Sequence, residues 1–415
     1  MSNEISLVTE KKIGKGSYGI VYESTVNGKK IATKKINNIF KSTTTAKRIC
    51  REILILKCLY NCDNIVKLTD ISLPPESTKD NFDTINLAFE YHYGCLQTIL
   101  FTRQKFTDLH VKYIMYQILN GLHNMHSMEI IHRDLKPSNI LIDGNCKINI
   151  CDFGLSKLSQ TNTVSSPTNE TESSNALDTT NIVTRWYRAP EVILLSNKHT
   201  SKLDIWSAGC IMAELLSLQL KHSNHVLFQG KSCFPISGKD DSHQNSDDQL
   251  NVIFNVLGTP SIEDINEIDN LTAKLYLSNI LTKSAINLEL KYKDANPIAI
   301  DLLKKLLVFN PKKRISALEA MNDPYFNNVR EPIIYINPPE KEYKILQEFE
   351  TYIESLKPKF NMSCNTNNDL QEKERQRYIK ENNINIDKNK TEMFKLIRNY
   401  MIPFSTNPPN ITCNF

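Results

Sequence analysis

The sequence predicts an α+β fold in two lobes, a small β-rich lobe followed by a larger helical one. Three observations carry this. At 415 residues the chain exceeds the roughly 250–300 residues that one hydrophobic core serves. Residues 5–90 alternate short apolar runs with glycine-containing and charged turns. From about residue 96 the apolar positions recur at helical spacing instead.

Ile13 to Tyr22 reads as strand, turn and strand, and Lys30 to Ile36 as another strand. Thr45 to Leu59 sets Ile49, Ile53, Leu56 and Leu59 on one face among Lys47, Arg48, Arg51 and Glu52, the pattern of an amphipathic helix. Ile85 to Tyr91 is a short apolar strand. In Val111 to Ser127, Ile114, Ile118, Leu119 and Leu122 share a helical face. Asp204 to Leu218 is apolar nearly throughout, as a buried helix is. Pro297 to Val308 is a further helix, with its proline in the first turn, where the missing N–H costs nothing. Ser159 to Asn181 and Ser237 to Asp248 are polar and read as a loop and an insertion. Past Glu331, Pro, Lys, Glu and Asn predict an extended tail. Near its end Met393, Phe394, Ile397, Tyr400 and Met401 form a helical stripe, expected to dock on the chain's own core. The divisions expected are 1–90, 91–326 and a C-terminal extension, 327–415.

An apolar share of 40% and a charged share of 23% exclude a wholly disordered chain. Fifty basic against 46 acidic side chains leave +4, too little for a general nucleic-acid binder. The ten cysteines form no CxxC pair, so neither a zinc site nor a disulfide framework is indicated. Reduced thiols fit a cytoplasmic or nuclear protein. Met1 to Glu10 has no signal-peptide pattern, and no apolar run approaches the ~20 residues that span a membrane.

The chemistry-bearing residues cluster in three places. Gly14-Lys15-Gly16-Ser17-Tyr18-Gly19, with Val21 after it, is a glycine turn that could approach phosphates without Cβ contact, or else an ordinary hairpin turn. Lys34 follows at strand distance and could reach those phosphates, with Glu52 the natural carboxylate to hold it. Lys35 points to the opposite face by alternation. His132-Arg133-Asp134-Leu135-Lys136-Pro137-Ser138-Asn139 is followed, eighteen residues after Asp134, by Asp152-Phe153-Gly154. Two carboxylates, an amide and a lysine at these offsets are what phosphoryl transfer needs. One carboxylate orients the attacking hydroxyl, the other and the amide hold Mg²⁺, and Lys136 neutralises the transferring group.

Together with Ala189-Pro190-Glu191, these segments resemble a eukaryotic protein kinase over roughly residues 8–326. The resemblance implies the bilobal protein-kinase-like fold and the cofactors ATP and Mg²⁺. It makes Asp134 the catalytic base, Asn139 and Asp152 the metal ligands, and Lys34 with Glu52 the phosphate clamp. Ile13, the glycine turn, Val21, Ala32 and Leu141 would line the nucleotide site. Phe89 takes the gatekeeper place, and Glu90 to His92 the adenine-binding hinge. Cys95 stands where relatives often carry an acidic ribose-facing residue. Glu191 and Arg314 match the family's buried ion pair, and Asp204 its lobe-stabilising aspartate.

Thr184-Arg185-Trp186-Tyr187-Arg188-Ala189-Pro190-Glu191 resembles the corresponding segment of mitogen-activated protein kinases, as does the insertion ending Leu257-Gly258-Thr259-Pro260. That group phosphorylates Ser or Thr followed by Pro and answers to an upstream activating kinase. Its phosphorylated Thr-x-Tyr falls on Thr179-Thr180-Asn181, so the tyrosine is absent. Some protist, apicomplexan-type members also lack it, and Leu227 to Pro235 resembles theirs. Thr179 is then the expected phospho-switch and Thr180 the runner-up, with Arg51, Arg133 and Lys157 the cluster that receives the phosphate. Ser166-Pro167 is a candidate autophosphorylation site. The stretch Asn327 to Glu331 is nearly devoid of the carboxylates with which relatives dock basic motifs. A monomeric kinase acting on protein substrates is expected. The alternatives are a cyclin-dependent-type kinase and a pseudokinase scaffold, the latter disfavoured by the complete catalytic set.

Overall fold

The computed structural model describes residues 8–16, 19–26, 28–41, 43–74, 82–102, 104, 106–159, 183–194, 196, 199–220, 225–233 and 247–355. Its first part is an antiparallel sheet of five strands: β1 (Val8–Lys15), β2 (Ile20–Val26), β3 (Lys29–Asn37), β4 (Leu68–Ser72) and β5 (Thr84–Glu90), in the order β1-β2-β3-β5-β4. Helix α1 (Thr43–Cys58) lies between β3 and β4 in the chain and buries Ile49, Ile53, Leu56 and its neighbour Leu59. The sequence pattern gave four of the strands. It gave no sign of β4, whose five residues include Thr69 and Asp70 and which pairs with one neighbour only.

Past β6 (Gly94–Cys95) the chain turns helical: α2 (Leu96–Thr102), then α3 (Asp108–Ser127). Thr107 caps α3, its hydroxyl accepting from the His110 N–H. Four short strands follow, β7 (Ile130–Ile131), β8 (Ile140–Ile142), β9 (Ile148–Ile150) and β10 (Lys157–Leu158); β6-β8-β9 form one small sheet and β7 pairs with β10. The remaining helices are α4 (Pro190–Ile193), α5 (Lys202–Gln219), α6 (Gln249–Leu257), α7 (Ile262–Asn266), α8 (Leu271–Ser278), α9 (Leu288–Lys291), α10 (Pro297–Leu306), α11 (Ala317–Met321) and α12 (Glu340–Ser355). Helix α5 is buried from Leu203 to Leu218, including Asp204 and Glu214. The layout is thus a β-sheet lobe and a helical lobe.

One expectation is corrected. The stretch past Glu331 is not simply extended, because Glu340–Ser355 is a helix that packs on α1. Leu346, Phe349 and Ile353 make a buried stripe at helical spacing, which the high content of Lys and Glu obscures in the sequence. Met393 to Met401 and most of Ser159 to Asn181 lie outside the described residues. Among the described residues no helix is long and apolar enough to cross a membrane.

Candidate active site

Strand register builds the upper wall. Val21 lies opposite both Gly14 on β1 and Lys34 on β3. The Gly16 N–H donates to the Gly19 carbonyl at 2.9 Å and closes the turn. A Cβ on Gly19 would lie 2.5 Å from the Lys35 carbonyl oxygen, so this position must be glycine for packing alone. Gly14 and Gly16 meet nothing closer than 3.7 Å, so the protein itself leaves room there. That room is what phosphate oxygens approaching backbone N–H groups require. Ser17 and Tyr18 lie outside the described residues.

On β3 the alternation buries Lys34 and leaves Lys35 on the other side. Lys34 Nζ donates to Glu52 Oε1 at 2.6 Å and lies 3.6 Å from Asp152 Oδ1. Burial opposes the charge on Lys34, but Glu52 and Asp152 outweigh it and hold its pKa above the ordinary lysine value. Ala32 lies opposite Phe89, and Ile31 opposite Glu90, which sets the strand beside the linker to β6. Beyond it the His92 ring is held by Asn149, whose Nδ2 lies 3.2 Å from His92 Nε2, and burial lowers its pKa. Leu141 pairs with Cys95 across β6 and β8. Cys95 itself contacts the Thr98 hydroxyl at 3.4 Å.

The loop after β7 brings Asp134, Lys136 and Asn139 together. Lys136 Nζ donates to Asp134 Oδ2 at 2.7 Å. Asn139 Nδ2 donates to the Asp134 carbonyl at 2.8 Å and to Oδ2 at 3.3 Å. Among the described residues Asp134 Oδ1 is buried with no hydrogen-bond partner. An orphaned carboxylate oxygen is costly unless something else supplies a donor, and an alcohol O–H would. Burial pushes the Asp134 carboxyl above its ordinary pKa, against the pull of Lys136.

This loop is pinned from below. Asp204 on α5 accepts from the His132 N–H at 2.8 Å and the Arg133 N–H at 2.9 Å, with His126 Nε2 2.9 Å away. Those hydrogen bonds outweigh burial and hold the Asp204 pKa below its ordinary value. They also keep Arg133 in the left-handed region, φ 70°, which non-glycine residues rarely occupy. Asp152 is left-handed too, φ 65°. His132 bridges the two segments: Nδ1 accepts from the Asp134 N–H at 3.3 Å and Nε2 lies 3.1 Å from the Cys151 carbonyl. One nitrogen therefore accepts and the other donates, which is the neutral ring.

A metal fits this donor set. Mg²⁺ in phosphoryl-transfer sites takes one or two carboxylates together with phosphate oxygens and water, not a closed protein cage. Both Asn139 N–H contacts go to Asp134, which leaves the amide oxygen for a cation, and Asp152 is partly exposed near Lys34. Asn139 and Asp152 would hold the ion, which when bound would neutralise the phosphate charge.

Of the sequence-predicted residues, Lys34, Glu52 and Asp152 form one cluster, and Asp134, Lys136 and Asn139 another. Thr179 and Thr180 lie outside the described residues. Arg51 does not stand open: its guanidinium is occupied by Glu350 of α12. Arg133 lies in the catalytic loop and Lys157 on β10. The sequence reading missed His126, Asn149 and Glu350, since each acts through one long-range contact that leaves no local pattern.

A chain with this sheet, this pinned loop and these paired groups matches known proteins over most of its length. The family model for the protein kinase domain matches residues 7–326, and the chain belongs to that family. Mitogen-activated protein kinase 15 of Oryza sativa subsp. japonica is 41% identical over 330 residues, 78% of this chain and 60% of the relative. Mitogen-activated protein kinase 4 of the same species is 39% identical over 324 residues, 78% of this chain and 79% of the relative. Mitogen-activated protein kinase 7 of Arabidopsis thaliana is 36% identical over 332 residues, 79% and 80% of the two. Within the family the chain thus belongs with the mitogen-activated protein kinases, which use ATP and Mg²⁺. It spans only 55% of mitogen-activated protein kinase 14 of rice. Neither the cyclin-dependent-type nor the pseudokinase alternative is favoured by these relatives.

Proposed function

We propose that this chain is a serine/threonine protein kinase that transfers the ATP γ-phosphate to Ser or Thr hydroxyls followed by Pro, in a mitogen-activated-type cascade. The observation that carries it is the buried, unpartnered Asp134 Oδ1 beside Lys136 and Asn139. In this reading Asp134 accepts the proton of the attacking hydroxyl, Lys136 offsets charge on the moving phosphoryl group, and Lys34 orients the nucleotide phosphates. Phe89, Glu90, His92, Ala32 and Leu141 bound the adenine.

Proline direction has support in the segment after Thr184. The Tyr187 carbonyl accepts from the Ser207 hydroxyl at 2.8 Å, and the Gly230 carbonyl from Trp186 Nε1 at 3.0 Å. The Lys231 carbonyl accepts from Arg185. A substrate residue without an N–H makes no demand on these filled acceptors, which is what proline offers. Protein substrates, an upstream kinase acting on Thr179, a monomeric state and a cytoplasmic or nuclear location complete the reading. So does the three-part division at residues 90 and 326. Docking of basic motifs at Asn327 to Glu331 is weak, because Glu331 is the only carboxylate in that stretch and Arg330 adds a cation beside it.

The test is phosphate transfer by the purified chain to a Ser-Pro protein with MgATP. Asp134→Asn is expected to lose on the order of 10³-fold or more in kcat while retaining nucleotide affinity. Full activity in that variant would remove Asp134 from the chemistry.

A further inference from the structure

Helix α12 lies antiparallel along α1. Arg51, midway along α1, meets Glu350 toward the end of α12, and Glu342 near the start of α12 lies close enough to Lys57, at the end of α1, to favour its charge. Leu346 and Phe349 are buried between these charged contacts, and Ile353 is buried just past Glu350. Arg51 holds Glu350 with both faces of its fork: Nε to Oε1, and Nη2 to Oε2 at 2.9 Å. Their side chains are only 15% and 14% exposed, so solvent screens the pair weakly.

Arg51 is the residue immediately before Glu52. Consecutive helical residues project about 100° apart, so α1 presents Arg51 to α12 and Glu52 to the nucleotide cleft. Among the described residues Glu52 reaches Lys34 through Oε1 alone, and Oε2 is buried without a partner. The hold on Lys34 is therefore one hydrogen bond, and its length is set by where α1 sits.

We propose that Glu350 is a positioning residue for phosphoryl transfer, clamping α1 through Arg51 so that Glu52 stays on Lys34. The proposal rests on the kinase reading of the cleft and adds to it a residue outside the span that the kinase family model matches, 299 positions from its partner. The carboxylate supplies from within the chain the bidentate anionic partner that a phosphate would otherwise offer Arg51.

The experiment compares full-length wild type, Glu350→Gln and Glu350→Asp, each dephosphorylated and verified by mass spectrometry. The isosteric Gln keeps the shape of α12 and removes the charge. Expected are faster amide exchange along α1 with α3 and α5 unchanged, and about a tenfold fall in kcat/KM for MgATP with KM for the protein substrate unmoved. Glu350→Asp is expected to restore most of both. A merely structural role would lower the melting temperature and the active fraction, leaving α1 exchange and KM for MgATP as in wild type, and would overturn the proposal. So would a rise in activity, which would make Glu350 a plug. Amide exchange and calorimetric MgATP affinity read the clamp without turnover, so a silent unphosphorylated wild type still decides this proposal, whereas a wild type that binds no MgATP would sink the kinase reading.

Discussion

At the residue scale the site works by setting unlike environments a few ångströms apart. Asp134 is buried and raised in pKa; Lys34 is buried yet kept charged by two carboxylates. A general base must be ionised to act, so activity is lost as pH falls through its pKa in the folded enzyme. Because burial raises that pKa, the acid limb of kcat/KM is expected above the usual carboxylate range. Lys136→Ala removes the opposing cation and is expected to move that limb to still higher pH. A pH–rate profile of both proteins checks this, and a limb that moves down would contradict it. Most of this site was legible in the sequence, because Asp134, Lys136, Asn139 and Asp152 sit at short fixed offsets that reflect a single loop and the strand pair after it. His126 and Asn149 were not, since a lone polar side chain looks the same whether it meets solvent or a buried partner.

At the element scale α1, α3 and α10 were visible through their apolar spacing, and α5 through its almost unbroken hydrophobicity, while the shorter helices were not. Glu191 on α4 joins the loop before α11 through Arg314, whose guanidinium donates to both carboxylate oxygens at 2.8 and 3.0 Å. It also donates to the carbonyls of Val308, Lys202 and Phe309 and lies over the Trp206 ring. With the Arg314 side chain wholly buried, removing it alone strands the Glu191 charge. Arg314→Met is expected to cost about 3–5 kcal/mol in denaturant unfolding, and the double variant with Glu191→Gln less than the sum of the singles. Additive costs would show that the two act separately. β4 and α12 escaped the sequence reading for opposite reasons. The strand is too short for alternation to register, and the helix sits in a stretch whose overall polarity hides three buried residues.

At the scale of the whole molecule the two lobes were predictable from the switch in periodicity near residue 96. The packing of the C-terminal extension on the first lobe was not: the Arg51–Glu350 pair links segments that nothing in their local sequence relates. Nucleotide binding between the lobes is expected to stabilise the fold by mass action, by about 2.7 kcal/mol at a hundred times Kd. For a chain of this size that is a rise in Tm of about 3 °C. The rise should require Mg²⁺ and be lost in Asp152→Asn, as thermal unfolding with and without the metal will show. A metal-independent shift would take Asp152 out of the metal sphere.

The anchoring of the catalytic loop by Asp204 has a consequence for control. Three donors converge on one buried carboxylate at the head of a helix that never leaves the interior, and they already hold Arg133 in its unfavourable backbone state. Such a loop is fixed in place from below. The adjustable part of the site is therefore the helix that carries Glu52, whose hold on Lys34 is a single hydrogen bond.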